Sequence, residues 1–154
     1  MAEESKKERL DRELIELLNE LRVALPGVQV LFAFLLTLPF TRGWPQLGHT
    51  ERVMYFVALM LAAVASGFLI APSAHHRLRF RQRDKEQLVL WGNRMALCGL
   101  VALALAIAAS ISVVADFIYG ESIGLPLAGA ALLFLGVLWF GVPRLYAAER
   151  RDAE

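Results

Sequence analysis

Two patterns of apolar and polar positions follow one another along the chain. Residues 3–25, "EESKKERLDRELIELLNELRVAL", are rich in charge, with leucine at a helical beat. Leu10, Leu14, Leu17, Leu18, Leu21 and Leu25 fall at i, i+4, i+7, i+8, i+11 and i+15, which is one face of a helix at 3.6 residues per turn. Lys7/Asp11 and Glu8/Arg12 stand four apart with opposite charges on the other side, a spacing that supports a helix. Beyond this arm the alternation stops. Four windows, 23–41, 53–74, 95–115 and 122–143, carry no Asp, Glu, Lys or Arg and are 19, 22, 21 and 22 residues long. A bilayer core needs roughly 20 apolar residues, so each window is long enough to cross one. A soluble four-helix bundle needs polar positions every turn on its outer face. "VALMLAAVASGFLIAP" and "CGLVALALAIAASISVV" offer none. The pattern therefore predicts an all-α membrane protein with four transmembrane helices in a bundle, spans near 23–41, 53–74, 88–118 and 122–143. An amphipathic helix over 1–25 precedes the 23–143 transmembrane domain, and a charged tail over 144–154 follows it.

Finer features refine these elements. Pro26-Gly27 falls where arm meets span, and a proline inside a helix removes a backbone donor and clashes one turn back, so a joint between two rods is expected there. The third helix is expected to begin near Asp84, with Leu88, Trp91 and Met95 on one face, and to end at Gly120 after "VVADFIYG". Small residues recur every fourth position: Ala58, Ala62 and Ser66; Ala63 and Gly67; Ala102, Ala106 and Ser110; Ala104, Ala108 and Ser112. Such rows let helix backbones approach closely in lipid. There are more of them than four helices are expected to bury on one another, which points to a homo-oligomer.

Charge decides the orientation. Of the Lys and Arg residues, 14 lie in the arm, the 75–94 loop and the tail, and 2, Arg42 and Arg52, lie in the first loop. The positive-inside rule then places both termini and the 75–94 loop in the cytoplasm of a multi-pass cell-membrane protein. Trp44, Tyr55 and Tyr119 fall at the outer ends of spans, and Trp91, Trp139 and Tyr146 at the inner ends, where aromatic rings settle at headgroup level. The stretch "HHRLRFRQRDK", with Arg77, Arg79, Arg81, Arg83 and Lys85, is first a topological anchor. Each such cation contributes about 1 kcal/mol near anionic lipid. Its expected contacts are anionic headgroups or the seven acids of the arm. No nucleic-acid fold surrounds it, so nucleic acid is not the expected partner.

Hydrophobic residues make up 57% of the chain, which suits the membrane class. Preceded by a charged arm and followed by no small-x-small site, the first window is expected to remain as a span rather than to be cleaved as a signal. The single cysteine, Cys98, allows no intramolecular disulfide and no thiolate cluster, and is expected to be a buried structural thiol. Asp116 is the one acid bordering an apolar run from within a helix, and an ionisable group there is a functional candidate. It pairs with Arg42, Arg52 or His49, or it forms a cation-attracting outer mouth with Glu51 and Glu121. Gln29, Ser110 and Ser112 are the candidate polar lining. His75-His76 is not read as a metal site, since adjacent residues rarely ligate one ion and no matching Cys, Asp or Glu lies nearby. No nucleophile elbow, phosphate loop or HExxH is present, so neither enzyme activity nor a cofactor is expected.

The segments "ELLNELRVALPGVQVLFAFLLTLPF", "IAPSAHHRLRFRQRDK", "GNRMALCGL" and "VVADFIYG" resemble a family of small bacterial integral membrane proteins of unknown function. The likeness runs from about Leu14 to the turn after Tyr119. Some members of that family carry the label of sodium:proton antiporter. An alternating-access antiporter normally places carboxylates near the membrane midplane, and no window here holds one. The resemblance implies a four-span fold and supplies no mechanism. Two functions fit the residues. One is a homo-oligomeric channel or transport-like protein for small cations, which needs polar residues from different spans on one axis. The other is a non-transporting accessory or scaffold protein that recruits a cytoplasmic partner or anionic lipid through the arm and the Arg-rich loop. It needs those polar residues to face each other singly, with the leucine face of the arm exposed.

Overall fold

Uninterrupted apolar runs with few helix breakers become long helices. The computed structural model describes residues 6–78, 85–120 and 123–144. In chain order these are α1 (Lys6–Thr37), two short 3₁₀ turns at Leu38–Phe40 and Trp44–Gln46, α2 (His49–Leu78), α3 (Lys85–Tyr119) and α4 (Gly124–Gly136). A π-helical turn, Val137–Gly141, continues α4. No strand occurs among the described residues. Four helices there are long and apolar enough to cross a membrane: Glu8–Phe40, His49–His75, Gln87–Tyr119 and Gly124–Arg144. Their number is the number of spans expected from the charge-free windows. The third helix ends at Tyr119, beside the expected stop at Gly120, while its expected start at Asp84 lies outside the described residues. Gly120 takes φ +92° and donates its N–H to the Asp116 carbonyl at 2.9 Å, a left-handed helix stop that glycine adopts without strain.

The expected joint at Pro26 is not found: α1 runs through it as one helix. Proline withholds a single hydrogen bond, the one to the Arg22 carbonyl. Against that cost, the buried face continues across it. Leu14, Leu21, Val28 and Leu35 are all buried, seven residues apart, with Leu17 between the first two. This one apolar stripe runs through arm and span alike and keeps the helix on a single course.

Packing divides the chain into two units, Met1–Thr37 with Leu61–Leu103, and Leu38–Met60 with Ala104–Glu154. In the first, Leu17, Leu21 and Val28 of α1 meet Ala65 and Leu69 of α2 and Ala96 and Ala102 of α3. Large side chains fit against missing ones. A Cβ added to Gly99 would stand 2.7 Å from two carbons of Leu69, and one on Gly92 would stand 2.9 Å from Leu17 Cδ2 and 3.6 Å from Pro72 Cβ. Cys98, expected to be buried, is exposed instead. Its neighbour Gly99 is the residue turned inward to receive Leu69, which leaves the thiol on the outward side of α3.

In the second unit the chain passes through the two 3₁₀ turns. Thr41 and Trp44 donate their N–H groups to Leu38 and Thr41 carbonyls at 3.0 and 3.2 Å. Tyr55, expected in an exposed aromatic belt, is 5% exposed with its ring edge-on to Trp44 at 4.9 Å. The small-residue rows are largely consumed inside the chain, since Ala58, Ala62, Ala102, Ala104, Ala106, Ala108 and Ser112 are all buried. The Ala63 and Gly67 row is not: Gly67 is exposed, and a Cβ there would meet nothing within 4 Å.

The notch at Gly99 sets a prediction. Gly99→Ala is expected to lose about 1–2 kcal/mol, because Leu69 is fully enclosed and cannot swing clear. Gly67→Ala, whose new methyl meets nothing within 4 Å, is expected to be neutral or to gain up to about 1 kcal/mol of helix propensity. Unfolding of both variants in one detergent checks the order, and the reverse order would refute the notch.

Candidate functional site

Asp116 is the acid that the sequence singles out, and its local role is defined by the turn after it. α3 stops at Gly120 and α4 begins at Gly124, so four residues separate two helix ends. The first N–H groups of α4 have no partners within the helix. Ile123, at the capping position, has no oxygen to offer. The Asp116 carboxylate supplies one from a turn back on α3, accepting the Gly124 N–H at 2.8 Å on Oδ1. Ser112 Oγ lies 3.5 Å from Oδ2. The Asp116 carbonyl meanwhile holds Gly120. One residue thus closes α3 with its backbone and opens α4 with its side chain, where negative charge is also favoured by the helix dipole. Gly124 admits no side chain, because a Cβ there would collide with the Asp116 carboxyl group.

Among the described residues Asp116 therefore pairs with neither Arg42, Arg52 nor His49. Arg52 turns elsewhere. Its guanidinium donates to the Pro45 carbonyl at 3.4 Å and stands over the Trp44 ring at 5.7 Å, within cation–π reach. Beside it, Leu38, Gly43, Trp44 and Leu47 face Val113 and Phe117 across an apolar hollow of about 240 Å³. Glu51, a proposed companion of Asp116, encloses one carboxylate oxygen that has no hydrogen-bond partner among the described residues. No hydrogen bond joins Glu51 to Asp116 there. Glu121 lies outside the described residues.

The candidate polar lining divides. Ser110 donates to the carbonyl of Ala106 at 2.7 Å, one turn back on its own helix. Ser112 is 2% exposed and turned to Asp116. Gln29 belongs to the first unit and has different neighbours. On α1, Leu18, Arg22, Leu25, Pro26 and Gln29 share a face at i, i+4, i+7, i+8 and i+11. On α2, Ser73 and Arg77 are one turn apart. These seven residues line one hollow of about 390 Å³. Close by, His75 and Trp91 stack with ring centroids 4.6 Å apart, joining the end of α2 to the start of α3.

So the structure brings Gln29 and Arg77 together, although the sequence assigned them separate roles. It adds Arg22 and Ser73, which sequence reasoning missed. The signal was present in the 18–22–25–29 spacing. Arg79, Arg81, Arg83 and the Lys85 side chain lie outside the described residues. The leucine face of the arm is not exposed: Leu14, Leu17 and Leu21 are buried. Outside that face, Arg9–Glu13 at 2.8 Å and Arg12–Glu16 at 3.8 Å are i,i+4 ion pairs. The Lys7 and Asp11 side chains lie outside the described ones. No group of three or more His, Cys, Asp or Glu residues that could hold a metal occurs among the described residues.

A family model described as a family of unknown function (DUF6328) matches residues 3–143. No curated protein and no solved structure matches the chain.

The capping role of Asp116 has a measurable consequence. Asp116→Ala is expected to cost about 0.5–2 kcal/mol of stability, the usual loss for a helix cap. Gly124→Ala should be comparably harmful, although alanine is the better helix former. Thermal unfolding of both variants checks this, and an unchanged Gly124→Ala would contradict the close approach.

Proposed function

We propose that this chain, which belongs to the family just named, is a non-transporting accessory protein of the cell membrane that crosses the bilayer four times. Both termini and the 75–94 loop face the cytoplasm in this reading, supported by the 14-to-2 division of Lys and Arg. The observation that carries it is the use of Asp116. A cation mouth needs carboxylate oxygens free to replace the water of the ion. Here one oxygen is engaged at 2.8 Å by the start of α4. The hydroxyls of Ser110 and Ser112 are likewise turned to a carbonyl one turn back and to that same carboxylate.

The working part is then the end where arm and span meet. The leucines of the arm are buried inside the first unit, so the exposed leucine face first required of such a protein is not there, and the reading keeps only the charged side of the arm and the Arg-rich loop as recruiting surfaces. What remains outward is the charged side of a helix held on a fixed course.

Ion flux into liposomes holding the purified protein tests this reading with Na⁺, K⁺ and H⁺ gradients in turn. Flux no faster than in protein-free vesicles is expected for the unsubstituted chain and for Asp116→Asn, with the variant measurably less stable. Flux that Asp116→Asn alters would overturn the reading in favour of a channel.

A further inference from the structure

We propose that the first unit binds a phosphate ester in the hollow between α1 and α2, held by Arg22 and Arg77. The depth of the two arginines is the first support. Arg22 is the last charge before the apolar window 23–41, and Arg77 is the first Lys, Arg, Asp or Glu after the window 53–74. Both therefore mark the boundary between apolar and polar chain, the level at which phosphates stand in a bilayer.

The second support is the donor set. A guanidinium presents five N–H donors in a planar fork that matches phosphate oxygens, and keeps its charge. Gln29 adds an amide and Ser73 a hydroxyl to the same hollow, neutral donors for the remaining oxygens. The lining holds no carboxylate, although the arm carries seven acids. Among the described residues neither guanidinium meets an acid at salt-bridge distance. Leu18, Leu25 and Pro26 complete the wall, an apolar surface that suits the carbon side of an ester. At about 390 Å³ the hollow has the size of a small-ligand pocket, roughly 300–1,000 Å³. The arginines come from two different helices, so the site exists only because α1 keeps its course through Pro26.

The same chemistry serves a phospholipid headgroup or a soluble phosphate, and native mass spectrometry of the full chain in detergent separates them. Phosphatidylglycerol, phosphatidic acid, phosphatidylcholine and inorganic phosphate are offered in turn. The expected result is retention of one anionic lipid in preference to phosphatidylcholine. Retention should weaken about tenfold in Arg22→Gln and again in Arg77→Gln, the usual scale for a charge-assisted contact. It should persist in Arg94→Gln, a cation of the same unit that does not line the hollow. Binding of inorganic phosphate that is lost with the same two arginines would keep the site and make its ligand soluble. Equal retention of all lipids without phosphate binding would overturn the proposal, as would a loss in Arg94→Gln equal to that in Arg77→Gln. The lipid preference of the unsubstituted chain decides the matter even where a variant does not fold. The outcome is independent of whether the chain conducts ions.

Discussion

Leu69 is wholly enclosed, and the backbone of Gly99 faces it where any side chain would intrude. For helices apolar enough to lie in lipid this kind of fit matters more than apolar character. Lipid tails are as apolar as leucine, so helices gain little from burial alone and associate through close contact of matched shapes. The first unit uses the same device twice. Leu69 of α2 meets Gly99 of α3, and Leu17 of α1 meets Gly92 of α3 beside Pro72. The second contact brings the charged arm into the packed interior instead of leaving it on a tether. The direction of α1, the burial of the leucine stripe and the cleft at Arg22 and Arg77 all depend on these two notches.

Polar groups are handled by an equally local rule. Ser66 and Ser110 donate to carbonyls four residues back at 2.9 and 2.7 Å, and Thr37 and Thr41 to carbonyls three back at 2.8 and 2.7 Å. A hydroxyl so bonded is satisfied without a neighbouring helix and need not mark a path. Asp116 departs from this habit by reaching forward across a turn to Gly124. The departure has a cause in the sequence. Ile123 cannot cap α4, and a start without partners in an apolar setting is costly. The acid at the end of α3 thus meets a need of the next helix.

The helices were legible because their signals are long and redundant. Charge-free windows of about twenty residues leave little choice, and the stop at Gly120 follows from the one residue that takes φ +92° without strain. What failed were inferences from single residues. Pro26 suggested a joint, yet the seven-residue repeat of Leu14, Leu21, Val28 and Leu35 was already in the sequence and proved the stronger signal. Cys98 was assigned to the interior by residue type, whereas the adjacent glycine set the inward face. Asp116 was read through its charge, and its partner turned out to be a backbone N–H, which no composition or spacing displays. The cleft was half legible. Gln29 and Arg77 were noticed, but pairing them needs to know which face α1 turns to α2.

That face is fixed by arithmetic once the stripe is known. With Leu17, Leu21 and Val28 turned into the packed interior, the positions one step beyond them, Leu18, Arg22 and Gln29, come to lie along the edge of the buried face. On α2 the same reasoning applies to Ser73, which follows directly on the enclosed Pro72, and to Arg77 one turn later. Neither arginine could join the core without losing the solvation of its charge. Both line the same hollow. Two cations at the rim of one interface are therefore held near each other by packing that has nothing to do with charge. An anion in that hollow would meet donors from both helices at once.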